Sequence, residues 1–139
     1  MHQIQHRLVL TPAGAGLHEI TGEVAGWLAG QEAEAGLLTL FLRHSSASLL
    51  IQENADPDVR RDLEDFFRRL VPEGDPLYRY RAEGPDDMPA HIRSALTQTH
   101  LAIPVAGGRL LLGTWQGIYL FEHRRQPHRR ELLLHFVGE

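Results

Sequence analysis

Two histidines in this chain have neighbours that would suit acid–base catalysis or metal binding. His44 is followed by two serines and separates two apolar stretches. His91 falls in the first turn of a helix that begins with an acidic pair. The positive end of a helix dipole disfavours a protonated imidazole, and the neutral ring is the form that acts as a general base or metal ligand. A serine turn bonded to its own backbone and an ordinary surface histidine are the structural alternatives.

A second polar group lies just before another predicted helix. Asn54 and Asp56 are followed by Pro57, and this order is typical of a helix start, since Asp caps free backbone N–H groups and Pro suits the first helical position. Capping accounts for Asp56 without excluding a second role. Asn54 has no such local role, so it is the stronger candidate for contacting a ligand.

Residues 113–117, Gly-Thr-Trp-Gln-Gly, place polar and aromatic side chains between two predicted strands. Gln116 carries two donors and an acceptor that need partners when buried. Glycine within a strand often marks the close approach of a ligand or another backbone, and Trp115 offers a flat face for stacking. A hairpin turn with Trp115 packed into the core is the structural alternative.

Four arginines between positions 124 and 130 follow a predicted strand that ends at Glu122. Guanidinium groups bind phosphate and carboxylate through paired N–H donors, so Arg124 and Arg129 could hold one anion. A solvated hairpin tip is the usual explanation for such a charged run. The net charge of -4 argues against nucleic-acid binding, which draws its affinity from neutralised phosphates.

Two absences narrow the chemistry further. The chain has no cysteine, which excludes disulfides, thiolate nucleophiles and cysteine-based zinc sites. All 14 of its Lys and Arg residues are Arg, which excludes Schiff-base chemistry and a Walker-type phosphate lysine. Catalysis or binding must therefore rely on His, Asp, Glu, Arg and hydroxyl groups.

A chain of 139 residues is the length of one domain, and we treat residues 1–139 as a single domain. No apolar run approaches the roughly 18 residues of a membrane span. The first nine residues mix His, Gln and Arg with apolar positions, which is unlike a signal peptide. These features predict a cytoplasmic protein without a membrane partner.

Hydrophobic periodicity predicts about seven strands and three helices. Hairpins dominate, and no repeated strand–helix–strand alternation is present, so we expect an α+β fold with a mostly antiparallel β-sandwich flanked by helices. The predicted helices begin near positions 17, 57 and 87, and the predicted strands cover 3–10, 36–43, 49–51, 100–106, 109–112, 118–122 and 131–137.

Taken together, the polar segments resemble those of the YjbQ-like family, described as secondary thiamine-phosphate synthases. The resemblance covers nearly the whole chain and rests on five segments in order, with Ser45-Ser46 where the family commonly has Thr. The segments are His44–Ser48, Glu53–Asp56, Gly84–Ile92, Gly113–Gly117 and Glu122–Arg124.

The resemblance implies a homotrimer with the polar segments near subunit interfaces. It also implies an activity that joins a pyrimidine diphosphate to a thiazole phosphate, giving thiamine phosphate and pyrophosphate, as a main or side reaction. His44 and His91 would be the acid–base groups, or would bind a divalent metal with Asp56, Asp87 or Glu122. Zinc would suit the imidazoles and magnesium the carboxylates.

The remaining candidates would bind the small phosphorylated substrate. Hydroxyls and guanidinium groups would neutralise the leaving pyrophosphate, while Trp115 stacks on a heterocycle and two amides contact its polar edge. These residues are Ser45, Ser46, Thr114, Arg124, Arg129, Asn54 and Gln116. The alternative function is a non-catalytic trimeric binding protein for a phosphorylated small molecule or a metal ion.

Overall fold

A computed structural model describes residues 1–139 and contains eight strands and three helices. The elements are β1 (His2–Leu10), β2 (Gly16–Glu19), α1 (Thr21–Ala29), β3 (Gly36–Leu42), β4 (Ala47–Glu53), α2 (Pro57–Leu70), α3 (Asp87–Leu96), β5 (His100–Ala106), β6 (Arg109–Leu110), β7 (Gln116–Glu122) and β8 (Arg130–Gly138).

The strands form two antiparallel sheets, with the orders β1-β8-β3-β5-β6 and β2-β7-β4. Both sheets contribute side chains to one cluster of 17 buried apolar residues, and α1 adds Val24 and Leu28 to it. This confirms the predicted α+β fold with two antiparallel sheets. No helix in the structure combines the length and the hydropathy that crossing a bilayer would require.

The start of the first helix was predicted wrongly. Leu17 and Ile20 fit helical spacing, but residues 16–19 form β2, in which Leu17 pairs with Phe121 of β7. The Leu17 amide also donates to Glu64 Oε2 at 2.7 Å. These long-range bonds override the local pattern, so α1 begins four residues later, at Thr21.

Helix α2 covers the outer face of the smaller sheet. Phe67 and Leu63 of this helix pack on Tyr119 and Phe121 of β7, which makes a second, smaller apolar cluster. The Asp56 carboxylate accepts from the Asp58 amide and caps the helix as predicted. Strand β7 is therefore buried on both faces, and only its first residue, Gln116, is exposed, whereas Glu122 at its other end is buried.

The outer face of the larger sheet has no covering layer. The continuous apolar run of residues 37–42 predicts a strand buried on both faces, but only alternate positions of β3 are buried. Leu37 and Phe41 point outward, and Phe41 is 47% exposed. Val137 of β8 and Val9 of β1 are exposed on their strands as well. An apolar sheet face of this kind is typical of a surface that contacts another protein chain.

Two features fix the ends of β3. At its C-terminal end, the Leu42 amide donates to Thr99 O at 2.7 Å, and the Leu49 amide of β4 donates to Gln98 O at 2.8 Å, which ties both sheets to one short segment. At its N-terminal end, Gly36 pairs with Gly138 of β8. A Cβ atom on Gly36 would lie 2.2 Å from the Val137 carbonyl oxygen, so only glycine fits there.

Candidate functional site

The first turn of α3 carries a compact polar cluster around Asp87. One helical turn separates Asp87 from His91, and the His91 Nε2 atom lies 3.2 Å from Asp87 Oδ2. The Tyr80 hydroxyl donates to the same oxygen at 2.7 Å, and Arg124 Nη1 lies 2.9 Å from Asp87 Oδ1. A carboxylate with three donors around it is held rigidly, and it orients the histidine beside it.

His91 links this cluster to the segment after β3. Its Nδ1 atom donates to the Ser45 carbonyl oxygen at 2.9 Å. Both ring nitrogens therefore face oxygen atoms of the protein. This geometry fixes the orientation of His91 between α3 and the serine segment.

Tyr80 was not among the sequence candidates. Its hydrogen bond to the Asp87 carboxylate raises the pKa of Tyr80 to about 12, so its hydroxyl stays protonated. The residue lies in the loop between α2 and α3, where the sequence contains no periodic pattern that would indicate its partner. Only the fold brings it against α3.

Asp86 holds the basic turn against α3. Its Oδ2 atom accepts from Arg124 Nε at 3.0 Å and from the Arg125 amide at 2.9 Å. Burial favours the neutral form of Asp86, but the bonds from the Arg125 amide and the Arg124 guanidinium outweigh it and lower the pKa of this carboxyl. The acidic pair thus anchors the turn, and Asp86 makes no side-chain cap for α3.

The arginines of the basic turn are matched by carboxylates. Arg124 pairs with Asp86 and Asp87, Arg125 with Glu73, Arg129 with Glu131 and Arg130 with Glu122. Arg129 is exposed, and its Nη1 atom lies 2.8 Å from Glu131 Oε1, not against a residue of the Asp87 cluster. Neither Arg124 nor Arg129 offers a guanidinium free of a protein carboxylate.

Glu122 is fully buried, with 0% exposure. Its carboxylate accepts from Arg130 Nε at 2.7 Å, from Arg130 Nη2, and from the amides of His123 and Arg124. Arg130 in turn donates to the Ser46 carbonyl oxygen at 3.2 Å. Glu122 therefore holds the backbone of the turn directly, and it holds the serine segment through Arg130. Its side chain is not exposed to solvent.

His44 lies on the same side as this buried pair. Its Nε2 atom accepts from the Glu131 amide at 2.8 Å, which places the ring proton on Nδ1. Burial, followed by the nearby charge of Arg130, lowers the pKa of His44. The neutral imidazole borders an open groove with Ser45 and Ser46.

The other candidates lie at the opposite end of the same strands. Ala47 pairs with Glu122 at one end of β4 and Glu53 with Gln116 at the other, so six residue steps of about 3.3 Å separate the two ends by roughly 20 Å. The polar groups of one chain thus form two clusters. The second cluster contains Asn54, Asp56, Thr114, Trp115 and Gln116.

Within the second cluster, Asn54 Nδ2 donates to Glu19 Oε2 at 3.0 Å, and Gln116 Oε1 accepts from the Gly113 amide at 2.8 Å. Trp115 was expected either to pack in the core or to stack on a ligand. It is 62% exposed, so the core alternative is wrong. A large exposed aromatic beside a bonded Asn and Gln is a candidate contact surface.

The residues of a single chain do not form a metal site. No group of three or more His, Cys, Asp or Glu side chains is placed to hold an ion. Both nitrogens of His91 are bonded to protein groups, and one nitrogen of His44 accepts from an amide. The zinc or magnesium ion expected from the resemblance therefore stays a prediction.

Comparison with known proteins places this architecture in a family. The family model described as UPF0047 protein YjbQ-like matches residues 6–139. The chain belongs to the YjbQ-like UPF0047 family. It is 53% identical to UPF0047 protein sll1880 of Synechocystis over 137 residues, which cover 99% of this chain and 93% of the relative.

Other YjbQ-like proteins agree in sequence and shape. UPF0047 protein YjbQ of Escherichia coli O157:H7 is 45% identical, with 97% of this chain and 98% of the relative covered. The crystal structure of the conserved hypothetical protein TT1486 from Thermus thermophilus has a TM-score of 0.85 at 36% identity, covering 95% of this chain and 99% of that one. None of these three names states an activity.

In this YjbQ-like chain, the sequence motifs identify the residues around α3 but miss the charged groups beneath them. Arg93, His123 and Arg130 are all buried, and none was a candidate. His123 sits next to a candidate glutamate in the sequence, and Arg130 sits next to a candidate arginine. The only signal for either was that proximity, because their partners are determined by the packing of β4, β7 and α3.

Proposed function

We propose that this protein is a transferase that joins a pyrimidine diphosphate to a thiazole phosphate, forming thiamine phosphate and releasing pyrophosphate. The observation that supports it is the placement of His91, fixed between Asp87 Oδ2 and the Ser45 carbonyl oxygen beside the Arg124 guanidinium. Departure of a pyrophosphate requires a positioned proton donor, and the two contacts of His91 hold its ring in one orientation.

The reaction forms a C–N bond to the thiazole as the C–O bond to the diphosphate breaks. Both electrons of the C–O bond leave with pyrophosphate, whose negative charge grows in the transition state. The His91 imidazolium would donate its proton to a leaving oxygen, and Asp87 would hold the ring in place. Arg124 pairs with both Asp86 and Asp87 and so fixes the position of the carboxylate that holds the ring.

The proposal includes a homotrimer. The two polar clusters of one chain lie roughly 20 Å apart. In the proposed trimer, Trp115 and Asn54 of one subunit would therefore contact the substrate bound at the α3 cluster of a neighbouring subunit. The uncovered apolar face of the larger sheet, with Leu37 and Phe41 exposed, supports association of subunits. Light scattering on the purified protein should give the mass of three chains, and a single-chain mass would refute this part of the proposal.

Replacing His91 with alanine tests the enzyme. We expect the substitution to lower the turnover rate for thiamine phosphate at least about 100-fold, the usual contribution of a positioned acid or base. His100→Ala, an exposed histidine on β5, should leave the rate unchanged. Product formation by chromatography and circular dichroism of each variant supply the rate and the folding check.

One observation favours the alternative function, a non-catalytic protein that binds a phosphorylated small molecule. Both nitrogens of His91 are already bonded to protein atoms, as they would be in a rigid binding surface. If His91→Ala and His44→Ala both retain product formation while affinity for the phosphorylated ligand falls, the protein is a binding module and the transferase proposal fails. The same conclusion follows if the wild-type protein forms no product.

A further inference from the structure

Three arginines surround one carboxylate at one end of the larger sheet. Glu131 Oε1 lies 2.8 Å from Arg129 Nη1. Glu131 Oε2 lies 3.4 Å from Arg43 Nη1 and 3.9 Å from Arg7 Nε. The hydrogen bond from Arg129, with the charges of Arg7 and Arg43, lowers the pKa of Glu131, so this carboxyl is ionised. None of the three arginines pairs with another carboxylate, and two positive charges therefore remain without a protein counter-charge.

The pairing of neighbouring strands brings these residues together. Val9 of β1 pairs with Glu131 at the start of β8, and Arg7 lies two residues from Val9 on the same face, where it reaches the carboxylate diagonally. On the other side of β8, the Arg43 amide donates to the Glu131 carbonyl oxygen at 3.2 Å. The main chain therefore fixes the Cα positions of these arginines around one glutamate.

The three guanidinium groups are accessible to a ligand. The side chains of Arg7, Arg43 and Arg129 are 55%, 49% and 61% exposed. Arg43 and Arg129 each make one side-chain hydrogen bond, to Glu131, whereas a guanidinium carries five N–H donors. Most of these donors therefore have no protein acceptor.

The open groove beside His44 adjoins this arginine cluster. Arg43 and His44 both line the groove, no acidic side chain does, and its volume is about 610 Å³, within the range of sites for small molecules. Because His44 Nε2 accepts from the Glu131 amide, the neutral ring carries its proton on Nδ1. No protein atom accepts from Nδ1, and the buried atoms without a partner all belong to other residues. This N–H donor is therefore open to a ligand.

We infer that this groove binds a small diphosphate group, which accepts hydrogen bonds from the Arg43 guanidinium and from His44 Nδ1–H. Arg7 and Arg129 add positive charge beside it, and guanidinium groups suit phosphate oxygens. A diphosphate carries more negative charge than a single phosphate and spreads it over two groups. It therefore balances the excess positive charge and contacts both donors at once.

The groove lies next to the proposed transferase centre. Ser45 lines the groove, and its carbonyl oxygen lies 2.9 Å from His91 Nδ1. The choice of a diphosphate rests on the proposed function, since pyrophosphate is the product that leaves that centre. The accessible excess of positive charge does not rest on it.

Titration with inorganic pyrophosphate tests the inference. Pyrophosphate and inorganic phosphate are added separately to the purified wild-type protein, at constant ionic strength and without any other substrate, and binding is followed by calorimetry. We expect saturable binding of pyrophosphate. Phosphate should bind at least about tenfold more weakly, because it carries less charge.

Arg43→Gln should weaken pyrophosphate binding at least about tenfold, since hydrogen bonds to charged groups are the stronger kind. Arg61→Gln is the matched control. It removes the same charge from an exposed arginine of α2 that pairs with Asp58, and it should bind pyrophosphate as the wild type does.

Glu131→Gln should have the opposite effect. The substitution removes the carboxylate that competes for the three guanidinium groups, and it keeps the main-chain amide that donates to His44. Pyrophosphate should therefore bind at least about threefold more tightly. A folding defect would not tighten binding, so this variant separates a ligand site from a purely structural role.

Three results would overturn the inference: no saturable binding of pyrophosphate by the wild type, unchanged binding by Arg43→Gln, or binding by Glu131→Gln that is no tighter. A wild type that binds pyrophosphate in the expected pattern but forms no thiamine phosphate would refute the transferase and leave the groove site standing. Formation of thiamine phosphate, combined with unchanged pyrophosphate affinity in Arg43→Gln, would refute the groove site and leave the transferase standing.

Discussion

Replacing Glu122 with alanine should lower the free energy of unfolding by about 3–5 kcal/mol, because it strands a buried guanidinium. Arg130 lies in the interior and directs Nε and Nη2 at this carboxylate. The same change frees the buried amide of His123 and the amide of Arg124 from their acceptor. Urea unfolding followed by circular dichroism measures the loss.

A second variant separates two contributions to the free energy of unfolding: the destabilisation caused by an unpaired buried charge, and the net stabilisation that the ion pair provides. Glu122→Leu combined with Arg130→Met removes both charges and keeps the volume, so it should recover most of the lost stability. Arg61→Ala breaks an exposed pair on α2 and should cost about 0.5 kcal/mol or less. A loss below about 1 kcal/mol for Glu122→Ala would show that this carboxylate does not hold the turn.

Gly36→Ala should destabilise the protein by about 3 kcal/mol or more, a size reached only by severe steric or polar defects. The added Cβ would lie 2.2 Å from the Val137 carbonyl oxygen and 2.7 Å from Gly138 Cα. Both are main-chain atoms of the paired strand β8, so they can retreat only if the sheet opens. Thermal unfolding of the variant provides the measurement.

Gly26→Ala in α1 is the matched control for this prediction. An added Cβ there meets no atom within 4 Å, and Gly26 is exposed in the helix interior. Alanine is the better helix former by about 1 kcal/mol, so this variant should be more stable than the wild type. Equal losses in the two variants would contradict the steric argument.

Much of the fold can be predicted from local patterns. The Asp56-Pro57 start of α2 is readable because cap and first-turn preferences are local. The Gly107-Gly108 turn between β5 and β6 is readable for the same reason, since both residues adopt positive φ angles that glycine allows. Residues 16–19 are different, because their strand exists only through pairing with β7. Local spacing alone therefore favoured a helix there.

The contacts of the candidate site are likewise predictable from the sequence only in part. Asp87 and His91 are one helical turn apart, so their contact follows from the sequence once the helix is predicted. Arg124 and Asp86 are 38 residues apart, and nothing in the spacing indicates that pairing. Several of the 14 arginines form no ion pair with a carboxylate, and Arg93 differs from those in being buried by the packing of α3, which spacing along the chain does not indicate.

The segment that bonds to Leu42 and Leu49 has a consequence for ligand recognition. Gln98 and Thr99 anchor both flanks of the turn that carries His44 and Ser45, so this turn loses its conformational freedom when the chain folds. The conformational entropy of this turn is therefore lost when the protein folds and not when a ligand binds. A ligand that meets this turn would find a rigid surface and would keep more of its interaction energy as affinity.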